Sequence, residues 1–77
     1  MAIAVDLIEE MKILTLFNLT STQEGIKVHG SAGEDAVSAT KRLFDKGLIS
    51  QNDGGYLTDL GIEAAEHAQK LLIILNS

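Results

Sequence analysis

The residues best suited to chemistry are four bases in the middle third of a 77-residue chain, Lys27, Lys41, Arg42 and Lys46. An arginine can present two parallel donors to a guanine edge, and lysines can neutralise phosphates. Lys41, Arg42 and Lys46 share one helical segment with Ser38, so the chemistry this set suits is contact with double-stranded DNA. Gln51 and Asn52, in the turn that follows, could reach a backbone or a minor groove. Four bases meet at most about four phosphates per subunit, a weak grip unless a dimer doubles it. Glu34 and Asp35 occupy the start of the same helix, where bases are usually read, and both also suit the positive end of a helix dipole. A solvated amphipathic face explains the same residues without DNA.

Other reactive types are sparse. Glu63 and His67 are spaced for one face of a helix, but zinc needs three or four ligands and no further donor stands near them. His29 is distant in sequence. Gly54-Gly55 reads as a turn rather than a phosphate-cradling loop, and caps explain the serines and threonines. The expectation is no enzyme, no cofactor and no metal. The chain has no cysteine, which excludes disulfides and thiolate sites and suits a cytoplasmic protein.

Charge and size narrow the partners. Net charge is −5, which opposes non-specific nucleic-acid binding. Residues 1–25 sum to −3 (Lys12 against Asp6, Glu9, Glu10 and Glu24). Residues 26–51 sum to +1 (the four bases against Glu34, Asp35 and Asp45), and residues 52–77 sum to −3 (Lys70 against Asp53, Asp59, Glu63 and Glu66). Only the middle third is not repelled by a polyanion. A chain this short is one domain that buries roughly 60% of its unfolded surface, so its core is marginal unless something staples it. Self-association is the staple that remains, and 45% of the residues are hydrophobic while only one Tyr and two Phe are aromatic. No run reaches the ~18 apolar residues of a membrane span, and the start, MAIAVDLIEEMK, lacks the basic region of a signal peptide.

These side chains need elements to hold them. Ala4 to Phe17 reads as a helix, with Ala4, Leu7, Ile8, Met11, Leu14 and Phe17 at three- and four-residue steps. Asp6, Glu9, Glu10 and Lys12 fill much of the other side, while Val5, Ile13 and Leu16 widen the apolar face. Gly25-Ile26-Lys27-Val28-His29 alternates like a short strand, and Ser21-Thr22-Gln23-Glu24 matches a capping box that could open a helical turn. Ser31-Ala32-Gly33-Glu34 is a second capping box, directly before a helix whose inner side carries Ala36, Val37, Thr40, Leu43 and Phe44. Asp35, Ser38, Lys41, Arg42, Asp45 and Lys46 take its outer side, and Gly47 stops it.

Leu48-Ile49-Ser50 and Tyr56-Leu57 flank Gln51-Asn52-Asp53-Gly54-Gly55, a hairpin signal whose loop of more than two residues should project as a wing. Thr58 caps a last helix, with Leu57 and Ile62 placed as a hydrophobic staple. Gly61 is unfavourable inside a helix by about 1 kcal/mol and marks close packing. Leu71-Leu72-Ile73-Ile74-Leu75 then covers the whole helix circumference, because successive residues turn by about 100°. One domain cannot cover all of it, so these five residues, with Ile13 and Leu16 of the first helix, are the expected homodimer interface.

The order of capped helix, Lys46-Gly47-Leu48-Ile49, glycine-rich turn and Tyr56-Leu57-Thr58-Asp59-Leu60-Gly61 resembles the closing half of bacterial winged-helix regulators. The resemblance implies a mainly α domain with a small β-hairpin (α+β), and a cassette from Ser31 to Leu75. Over nearly its whole length, through LFNLTSTQEGIKVH and DGGYLTDLGIEAAEHAQ, the chain is also similar to a small gammaproteobacterial family of unknown function. Some of that family's members carry a DNA-binding label. Where a DNA-reading member has a supporting helix, this chain has STQEGIKVHGSAG, so that helix is short, altered or absent. Two functions follow as expectations. One is a homodimeric DNA-binding regulator; the alternative is a winged-helix-derived protein–protein interaction or dimerisation module that binds no DNA.

Overall fold

A computed structural model describes residues 2–21 and 23–77. Three helices, α1 (Val5–Leu14), α2 (Glu34–Asp45) and α3 (Asp59–Leu75), enclose a core edged by a small sheet. Its strands are β1 (Ile26–Lys27), β2 (Ile49–Gln51) and β3 (Gly54–Leu57), antiparallel in the order β1-β3-β2. The layout is the winged-helix-like α+β arrangement, with one reduction. A single 3-10 turn, Gly30–Ala32, takes the place of the supporting helix between α1 and α2. Of the Ser21–Glu24 turn, the described part is a bond from the Glu24 amide to the Ser21 carbonyl (3.1 Å); Thr22 lies outside the described residues.

The core is built from Ile13, Leu14, Phe17, Ala39, Leu43, Ile49, Ala65 and Ala68. α1 ends three residues earlier than its periodicity suggests. The Gln69 side chain of α3 donates to the carbonyls of Leu14 (3.2 Å) and Phe17 (2.8 Å), so these groups need no further helical turn. α2 is phased differently from the sequence reading: its buried side is Ala39, Thr40 and Leu43, and Phe44 is exposed. The buried Thr40 hydroxyl donates to the Ala36 carbonyl at 2.7 Å, which lets a polar residue sit at the centre of that side. The expected Ser31 capping box does not form, because Ser31 lies inside the 3-10 turn and Gly33 is the N-cap.

The wing is shorter than expected. Gln51 pairs with Gly54, leaving Asn52-Asp53 as a two-residue connection. The two glycines belong to the strand rather than the turn, with φ of 133° at Gly54 and 75° at Gly55. A Cβ on Gly54 would stand 2.4 Å from the Ile26 carbonyl oxygen, so these glycines are what lets β1 pair against β3.

Thr58 joins the hairpin to α3 as the sequence suggests. Its hydroxyl accepts from the Gly61 amide (3.1 Å) and donates to the Gly47 carbonyl (2.6 Å), while its own amide donates to the Leu48 carbonyl (3.0 Å). Gly47, at φ 79°, follows the end of α2.

Candidate functional site

The bases expected to face DNA are mostly engaged within the chain. Glu10, placed on the polar side of α1 by its periodicity, is 5% exposed. It accepts from Arg42 Nε at 3.0 Å and from Lys46 Nζ. Arg42 also donates to the Asp6 carbonyl at 3.2 Å, and its guanidinium stands 3.9 Å from the Asp6 carboxylate. Arg42 and Lys46 are one helical turn apart, so both reach the same carboxylate, and the network fastens α2 to α1. Arg42 therefore turns inward from the outer side of α2 on which its spacing places it. Nothing within either helix signals this, since Arg42 and Glu10 are 32 residues apart.

Burial raises the pKa of Glu10, but the hydrogen bonds and charges of Lys46 and Arg42 outweigh it and hold the carboxyl below its ordinary range. A depressed folded pKa contributes stability above the ordinary glutamate value, about 4.3, and loses it as pH falls through the folded value. Glu10→Gln is expected to lower stability by about 1–3 kcal/mol at neutral pH. It should also flatten the acid limb of a denaturant-monitored pH profile; a variant with wild-type stability and an unchanged limb contradicts the assignment.

Elsewhere Lys27 lies 4.0 Å from Asp53, and Lys12 pairs with Glu9 at 3.1 Å. Lys41 and Lys70 have no carboxylate within ion-pair distance among the described residues. Ser38, Lys41, Gln51 and Asn52 are exposed. Ser38 and Lys41 share a shallow depression with Gly30, Glu34 and Val37. Of seven sequence-assigned DNA contacts, Arg42 and Lys46 are the two that the fold binds to a buried acid.

The apolar residues separate into distinct faces. Ile13 belongs to the core and is unavailable to a partner. Leu16 is exposed but borders a different feature, a hollow beside Val28, Ala32 and Ala36 where the supporting helix is reduced. In α3 the stripe Gly61, Ala65, Ala68 and Leu72 turns to the chain's own core, with Leu72 half-buried. Ile73 stands two turns after Glu66, on the polar side.

Leu71 and the turns before it form one wall of an apolar groove of about 340 Å³, lined by Ala64, His67, Ala68 and Leu71 from α3 and by Met11 and Leu14 from α1. Leu7 and Ile8, a turn before Met11, are exposed, as are Ile74 and Leu75 beyond Leu71. Each helix thus leaves apolar side chains uncovered, and the groove is where the apolar sides of α1 and α3 meet. The sequence signal for it was the excess width of both helices; what it could not supply was which residues of LLIIL lie on that face.

No group of three His, Cys, Asp or Glu residues among those described is arranged to hold a metal. No helix among them is long and apolar enough to cross a membrane. The model of a family of unknown function, DUF5669, matches residues 1–76. No curated protein and no solved structure matches the chain.

Proposed function

The chain belongs to DUF5669, a family of unknown function, and we propose that it is a binding module, not an enzyme, that works as a homodimer through the face shared by α1 and α3. The observation that carries this reading is the apolar groove in which Met11 of α1 lies beside Ala64 and Leu71 of α3, on helices that also leave Leu7, Ile8 and Leu75 exposed. Covering a half-exposed leucine or isoleucine is worth about 1 kcal/mol, and two-fold pairing counts each residue twice. Four or five such residues per chain thus supply about 8–10 kcal/mol, within the range of about 4–15 kcal/mol that association costs. A cysteine-free chain suits the cytoplasm as the site of action.

Duplex DNA binding is the second reading, favoured by exposed Ser38 and Lys41 on α2 and by Gln51 and Asn52 at the hairpin tip. The Glu10 network weighs against it, because freeing Arg42 and Lys46 for phosphate would strand a buried carboxylate. Two titrations separate the readings. Light scattering over a concentration series should show the mass doubling, and mixed duplex DNA at low salt should give no binding. A constant monomer mass at high concentration overturns the homodimer. Salt-steep DNA binding that is lost in Lys41→Ala establishes the second reading instead.

A further inference from the structure

We propose that the second copy packs antiparallel, α3 against α3, in a register that pairs Glu63 of each chain with Lys70 of the partner subunit. This deepens the homodimer reading above and rests on it. Leu60, Ala64, His67, Leu71 and Ile74 follow one another by alternate steps of four and three, the spacing of a seam that faces another helix. Leu60, Leu71 and Ile74 are 53%, 46% and 61% exposed, so the chain's own core takes only the edge of this seam at Ala64. It lies beside the buried stripe of Gly61, Ala65 and Ala68, and the α1 side chains Met11 and Leu14 flank it.

Charge selects the occupant and its direction. Glu63 and Lys70 border the seam on the same flank, seven residues apart, about 10 Å along the axis and too far to pair with each other. Neither has an ion-pair partner among the described residues. A two-fold axis crossing α3 between Ala64 and His67 sets Ala64 opposite His67 of the partner subunit, and Leu71 opposite Leu60 of the partner subunit. In that register Glu63 and Lys70 of the partner subunit lie about 3 Å of helix rise apart on one flank, and symmetry makes the pair twice. A parallel arrangement in register leaves the same charges about 10 Å apart along the axis. Self-complementary charges beside a self-complementary seam fit a second copy of this chain.

The test is sedimentation equilibrium of Glu63→Lys and Lys70→Glu, alone and mixed in equal amounts. Each variant alone sets like charges together at two places and should weaken self-association about tenfold. The mixture should regain wild-type affinity as a heterodimer. If both variants associate like wild type, or the mixture stays as weak as its components, the antiparallel register is wrong while the homodimer stands. If the unmodified chain is itself monomeric at high concentration, the homodimer reading fails and this register with it.

Discussion

Replacing Gly61 with alanine is expected to lower stability by at least about 3 kcal/mol, a large share of the about 5–15 kcal/mol available to a domain. On helix propensity alone the sign would be opposite, since alanine is favoured over glycine by about 1 kcal/mol inside a helix. Packing decides it. A Cβ at this position would stand 1.8 Å from the Leu48 carbonyl oxygen and 2.9 Å from its carbon. That oxygen cannot simply withdraw, because it accepts the Thr58 amide at 3.0 Å. The Thr58 hydroxyl, in turn, ties Gly47 to the first turn of α3. Moving Leu48 therefore loosens the hairpin base and the helix cap together. Urea unfolding of Gly61→Ala against wild type checks this, and a variant of equal or greater midpoint contradicts the close approach.

The second large effect concerns association rather than folding. Leu71→Glu is expected to raise the dimer dissociation constant at least about a hundredfold. The change places a carboxylate in the apolar groove of each subunit and removes a leucine from two symmetry-related contacts, together worth about 3 kcal/mol or more. Leu71 is close to half exposed in one chain, so monomer stability should change by only about 0.5 kcal/mol. Ile73→Glu is the paired control. Ile73 is 70% exposed and stands on the Glu66 side of α3, so its replacement should leave the dimer mass intact. If Ile73→Glu dissociates the dimer and Leu71→Glu does not, the interface lies on the other side of α3.

The contrast between these two residues shows where the sequence stopped being informative. LLIIL announced an excess of apolar surface because no single face of a helix can absorb five consecutive aliphatic residues. It could not rank them, since that depends on the rotation of α3 over α1, which tertiary contacts such as Gln69 to Leu14 and Phe17 set. Local signals were dependable wherever the responsible chemistry was local. The Thr58 cap, the Gly47 stop and the crowding at Gly61 depend on neighbours within a turn or on the hairpin next to them.

With one exception, signals failed where a distant partner supplied the reason. A local competitor defeats the cap at Ser31 and Glu34, because the same residues form a 3-10 turn at Gly30–Ala32 and leave Gly33 as the N-cap. Gly54-Gly55 read as a turn because nothing nearby revealed that β1 would press against it. The same gap explains the DNA-contact set. Arg42 and Lys46 looked free on α2, and only the meeting with α1 exposed Glu10 as their common acceptor. The winged-helix-like layout was therefore readable while the use of its helix faces was not, and fold alone does not specify function.

The homodimer and its face are tested most directly by an isotope-filtered NOE experiment on an equal mixture of labelled and unlabelled chains. Cross-chain NOEs are expected between the Leu71 and Leu60 methyl groups, with further contacts from the Met11 methyl to α3 of the partner. Cross-chain NOEs confined to Ile73 or to the α2 surface, or none at concentrations where the mass is that of a dimer, would contradict that interface.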